Sequence, residues 1–172
     1  GYLGAEETMQ FRFSNGIALA APEVAVVDAT PITAGCRGVK DDHEIALMAL
    51  ANEVTLTAYK AAYHAMEEGM TQGDVSRLIS MAHDRLGFAG GASVQTGEWS
   101  ALPHGSITPQ VISEGTILLI DGGCGVEGYR SDMSRTFVLG QPTDIMTERF
   151  EIEHAAQTAA FEAAAPGVLL EA

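Results

Sequence analysis

Two carboxylates, Asp121 and Asp132, close the stretch DGGCGVEGYRSD at either end. A hairpin centred between Val126 and Glu127 makes them direct cross-strand partners on one face, with Cβ atoms roughly 4.5–5.5 Å apart. Val-Glu is a poor two-residue turn because primed turns need positive φ, so a four-residue loop from Gly125 to Gly128 is expected to close the hairpin in that register. Like charges directly opposed are destabilising. A cation between the carboxylates, a shared proton, or a basic neighbour such as Arg130 would relieve them. A bulge at the glycines would remove the conflict altogether. Hard divalent cations prefer carboxylate oxygens, and two metals can share a bridging carboxylate. Spacing alone leaves these possibilities open.

The elements that must position the pair follow from periodicity. GTILLID and GYRSDMSRTFVLG read as two strands, with GCGVEG supplying the turn glycines. From Asp41 to Glu68, Ile45, Met48, Leu50, Val54, Leu56, Tyr59, Tyr63 and Met66 recur at broadly helical spacing, and Gly69 is expected to cap that helix. Thr71 followed by Asp74 predicts a capping box opening a second helix that closes on Gly87. Residues 88–115, rich in Gly, Ser, Thr and Pro, are expected to be extended with loops. A last helix is predicted from about Thr143 to Ala165. Upstream, EVAVVDATP reads as a short buried strand ended by Pro31, with little before it to pair with.

The chain has 172 residues, enough for one domain or one domain and part of another. A formal charge of −14 repels phosphate backbones and anionic lipid heads, so neither nucleic acid nor a membrane surface is an expected partner. Its two cysteines, Cys36 and Cys124, are too few for a disulfide scaffold and suit a reducing compartment. The longest apolar runs, such as TILLI, are far shorter than the ~20 residues of a spanning helix. A cytoplasmic protein is the expectation.

LIDGGCGVEGYRSDMSRTFVLG, preceded by SALPHGS at 100 to 106, resembles the metal-ligand hairpin of the pita-bread metallopeptidases, particularly prolidases and aminopeptidase P. Ser134 stands where that family usually has Thr. CRGVKDDHEI is similar to the segment by which the family enters its catalytic domain. The resemblance implies an α+β pita-bread fold, with residues 1–36 the remnant of a preceding domain and linker and 37–172 the first of two pseudo-symmetric halves. It implies two divalent metal ions, manganese in prolidase-like members, with Asp121 binding one and Asp132 bridging both. Their hydroxide would attack the scissile carbonyl of a peptide substrate with proline second, and His104 in ALPHG would bond the substrate near that bond. A homodimeric parent protein is implied as well.

The family completes its metal cage with a histidine and two glutamates from the second half, and this chain ends before they can appear. The expectation is therefore a parent exopeptidase of the Xaa-Pro type, with this chain inactive alone. The alternatives are a non-catalytic interaction module of the same fold and a creatinase-like hydrolase without metal. After Asp132 the remaining candidates are Asp144, Glu148, Glu151, Glu153, His154, Glu162 and Glu171. Glu151 and His154 form an E-x-x-H, but a di-iron bundle needs two such copies, so a solvated helix surface is expected. His43, His64 and His83 are expected at the surface or the edge of the core, and Cys124 as a small buried or half-buried thiol.

Overall fold

The computed structural model describes residues 1–169. Glu171 lies outside them. The chain divides into two compact units, Gly1–Ala46 and Leu47–Ala172.

In the first unit, β1 (Tyr2–Ala5) runs parallel to β2 (Ala25–Asp28), with α1 (Phe11–Ala20) connecting them and α2 (Thr30–Gly38) following. The valine-rich strand is thus present, with two differences from expectation. It has a partner, in register from Tyr2↔Ala25 to Ala5↔Asp28, and its four residues are exposed, not buried. Pro31 opens α2 as much as it ends β2, because a missing N–H costs nothing in a first helical turn. Asp28 accepts from the Thr30 N–H at 2.8 Å and fixes that entry.

The second unit is built on two helices, α3 (Asp42–Ala65) and α4 (Gln72–Leu86), packed under an antiparallel sheet. Its strands are β3 (Gly90–Thr96), β4 (Ile117–Val126), β5 (Tyr129–Arg130) and β6 (Met133–Val138). β4 is central: β3 flanks one edge, and β5 and β6 share the other. α5 (Asp144–Ala163) follows, capped by Thr143, whose side chain accepts from the Met146 N–H.

Along α3 the buried stripe is Ala51, Val54, Thr55, Ala58, Tyr59 and Ala62, whereas Ile45 and Leu50 are exposed. Large side chains alone therefore mark the buried face only in part, through Val54, Tyr59 and Met66, since the sheet takes alanines where it approaches closely. The helix stops at Ala65, short of the expected Glu68, and Gly69 serves a separate turn at φ +89° with its N–H on the Ile112 carbonyl. α4 opens on the predicted capping box, with Asp74 N–H on Thr71 Oγ1 at 3.2 Å and Thr71 N–H on Asp74 Oδ2 at 2.8 Å. The Thr71 hydroxyl, which donates to Asp74 Oδ2 at 2.6 Å, and then the Thr71 N–H hold the Asp74 carboxyl below the usual carboxylate range, and Gly87 closes the helix in the left-handed region.

Strand alternation gives the sheet two faces. Leu118, Ile120, Cys124 and Val126 of β4 are buried, as are Val94 and Thr96 of β3. Val94, Leu118 and Ile120 join Tyr59, Ala62, Met66, Val75, Ile79 and Ile112 in the main core, while Ala51, Val54, Cys124 and Val126 make a smaller cluster. His83 belongs to the interior, not to the surface or core edge. It is fully buried, its Nδ1 on the Ile79 carbonyl at 2.9 Å, and its Nε2 has no hydrogen-bond partner among the described residues. Over α5 no residue is buried.

Candidate functional site

The hairpin forms, but in a different register from the expected one. Val126 pairs with Tyr129 and Gly125 with Arg130, and the same register continues to Asp121↔Ser134. The turn is Glu127-Gly128, with both residues at positive φ (48° and 90°), which is the pattern of a type I′ turn. Glutamate there carries a conformation that glycine or asparagine would adopt more easily, and for that reason composition points to a longer loop. Gly122, Gly123 and Gly125 are consequently strand residues. A Cβ on Gly122 would fall against the Gly91 carbonyl, and one on Gly123 against the Ser131 carbonyl, so both positions permit close approach of neighbouring strands.

Asp121 and Asp132 are therefore not direct partners. The group opposite Asp121 is Ser134, whose hydroxyl donates to Asp121 Oδ1 at 2.7 Å. Asp132 precedes Ser134 by two and becomes a diagonal neighbour, at a spacing of roughly 7–8 Å in regular sheet. Both carboxylates are exposed on the open face, since Ser131 and Met133, on either side of Asp132, turn to the core. Register thus relieves the like-charge conflict by itself. Arg130 does not: it stands opposite Gly125 and, among the described residues, makes no ion pair.

Beneath the carboxylates lies the α3 stripe. Thr55 Oγ1 and Ser131 Oγ are 2.7 Å apart, and Ser131 Oγ accepts from the Cys124 N–H at 2.9 Å. Tyr59 donates its hydroxyl to the Met133 carbonyl at 3.0 Å. Burial, reinforced by the charges of Asp121 and Asp132 and opposed by Arg135, pushes the Tyr59 phenol up to about 12. Both carboxylates therefore act on the same phenol across the sheet.

His104 is exposed in the loop after a single 3-10 turn, Gly97–Ala101. Three glutamines fasten that loop. Gln95 of β3 accepts from the Ser106 N–H at 3.0 Å and from Gln110 Nε2 at 2.7 Å. Gln110 accepts from the Thr96 N–H at 2.7 Å, and Gln72 donates to the Thr108 carbonyl at 3.0 Å while accepting from the Gln110 N–H at 2.8 Å. Gln95 pairs with Leu119 and lies two residues from Ser93, the β3 partner of Asp121, so the tether joins the open face. Sequence reasoning missed the roles of Ser134, Tyr59, Thr55 and these glutamines; Ser134 alone carried a signal, as a hydroxyl two residues beyond Asp132.

The other candidates lie apart. His43, His64, Glu151 and His154 are exposed on helices, with His154 stacked on Phe150 at 6.0 Å between ring centroids. Cys124 is buried on the opposite face, its thiol on the Ala51 carbonyl at 3.3 Å. Among the described residues no three His, Cys, Asp or Glu side chains are grouped to hold a metal ion. Asp121, Asp132 and Ser134 nevertheless offer hard oxygen donors, a set suited to ions of the magnesium, calcium and manganese class and unsuited to soft metals.

Residues 46–172 match the model of metallopeptidase family M24. A Xaa-Pro dipeptidase of Pyrococcus horikoshii is 29% identical over 169 residues, which is 96% of this chain and 48% of the relative. A prolidase structure from Pyrococcus horikoshii OT3 superposes with a TM-score of 0.86 at 28% identity, over 97% of this chain and 49% of that one. An X-Pro aminopeptidase structure from Thermotoga maritima gives 0.84 at 27% identity, over 97% and 49%. The chain thus spans about half the length of the relatives it matches. These likenesses bear out the α+β pita-bread expectation. The hairpin, its flanking helices and the family match over residues 46–172 agree: the chain belongs to metallopeptidase family M24.

Proposed function

We propose that these 172 residues supply one half of a metal-dependent exopeptidase that removes the N-terminal residue from Xaa-Pro peptides or dipeptides. Residues 1–36 would end a preceding domain and 37–172 would form the first half of the catalytic domain. The observation that carries this reading is the placement of Asp121 and Asp132 on the exposed face of the hairpin, within the family match. Asp121, steadied by Ser134, and Asp132 would hold two divalent ions, manganese by preference, together with ligands from the rest of the parent protein. Bound there, such ions supply Lewis acidity and lower the pKa of water.

The chain's own residues have defined parts. Among the described residues neither carboxylate has an ion-pair partner, so both offer free acceptors. The Gln95 tether holds the loop of His104, whose imidazole would bond the substrate near the scissile bond. No helix among the described residues is long and apolar enough to cross a membrane. A cytoplasmic, homodimeric parent protein is part of the proposal.

Assaying an Xaa-Pro dipeptide with manganese tests it, using this chain and a longer protein that contains a histidine and two glutamates in a second half. Turnover is expected from the longer protein and negligible turnover from the chain. Brisk hydrolysis by the chain would overturn the half-site reading, and an inert longer protein would overturn the peptidase.

A further inference from the structure

Asp132 is not on a regular strand. β5 ends at Arg130 and β6 begins at Met133, so the ladder that holds Asp121 in place is interrupted where Asp132 stands. A ligand on an interrupted strand needs another means of fixing its backbone. Two buried side chains of α3 supply it. Thr55, fully buried, meets the Ser131 hydroxyl at 2.7 Å, on the residue before Asp132. Tyr59, one helical turn later and 1% exposed, donates to the Met133 carbonyl at 3.0 Å, on the residue after it. Ser131 is in turn fastened to β4 by the Cys124 N–H at 2.9 Å and by its own N–H on the Cys124 carbonyl at 3.1 Å. Gly123, opposite, leaves room for the Ser131 backbone to come this close.

We infer that Thr55 and Tyr59 are positioning residues for Asp132: from beneath the sheet Thr55 holds the Ser131 side chain before it and Tyr59 the Met133 carbonyl after it, and together they fix where its carboxylate stands on the open face. The inference rests on the metal-ligand reading of Asp132 proposed above. A hydroxyl in a helix core that reached only for its own helix would have no such consequence. Here both hydroxyls spend their hydrogen bonds across 76 and 74 positions of sequence, on the two neighbours of one carboxylate.

Manganese is the probe. In the 15N-labelled 172-residue chain, titrated Mn2+ broadens amide signals near its binding site even when binding is weak. The wild-type chain is expected to show broadening around residues 121 and 132–134, and Asp132→Asn to lose it. Thr55→Val and Tyr59→Phe are each expected to raise the Mn2+ concentration for half-broadening about tenfold, the low end of what a lost outer partner of a ligand costs. Both should also speed amide exchange at Asp132 and Met133 relative to the amides of α4. Thr55→Ser, which restores the hydroxyl, should return both readouts toward wild type, as a merely space-filling role would not require. Should Thr55→Val fail to fold, Tyr59→Phe decides alone, since it keeps the ring in the core. Wild-type broadening that persists unchanged in a folded Tyr59→Phe chain overturns the inference and leaves the metal site standing. If the wild-type chain shows no localised broadening, the ligand reading of Asp132 fails and takes the inference with it.

Discussion

Single side chains carried most of the chemistry into view and the least of the geometry. Asp121, Asp132 and His104 stand out because LIDGGCGVEGYRSDMSRTFVLG and ALPHG resemble a known family's motifs, while spacing alone left the aspartate pair open. Their supports are not, because Thr55, Tyr59 and Gln95 belong to types that occur throughout any core or strand, and only the fold says what they reach. Tyr59 gives a prediction at this scale. With its folded pKa raised from 10.0 to about 12, the neutral phenol is the form the fold favours. Its contribution to stability is fully present below pH 10 and is lost as pH rises through about 12. Following phenolate absorbance near 295 nm on the wild-type chain and on Tyr59→Phe, the difference between them, which reports Tyr59, should rise only as pH approaches about 12. A difference that is complete near pH 10 would contradict the burial and charge environment described for it.

At the scale of elements, helix ends were legible and the strand register was not. Thr71 and Asp74 announce the start of α4 because a capping box is a local bonding pattern, complete within four residues. Thr71→Ala should therefore cost about 1 kcal/mol by chemical denaturation, and Thr71→Ser much less. Because Asp74 is held below its ordinary range, its part in the cap persists above that range and fades as pH falls through the lowered value. Register, by contrast, turned on one residue. Glu127 accepts a positive φ that its type disfavours, and this single choice moves Ser134, not Asp132, opposite Asp121. Glycines misled for a related reason, since in β4 they answer to neighbouring backbone and not to the turn. Gly123→Ala should thus destabilise the chain by about 1–3 kcal/mol, the usual cost of an overpacked site. A melting temperature equal to wild type would mean that the Ser131 backbone can yield.

Across the whole molecule, the helices and the hairpin of the second unit followed from periodicity and the α+β class from the family resemblance, whereas the first unit was read only in part. β1, α1 and α2 have short apolar patterns and few buried side chains, so neither alternation nor helical spacing marks them strongly. The same division between open and covered surface separates the two thiols. Cys36 is exposed, while Cys124 is sealed between β4 and α3 on the side of the sheet away from the aspartates. A thiol reagent added to the native chain should modify Cys36 within the mixing time and leave Cys124 for hours, with full modification of both only in denaturant. Cys124 is in effect a latch sensor: its slow labelling clocks each opening of the hairpin's underside, and a cation that braces the hairpin from above should lengthen the interval between ticks.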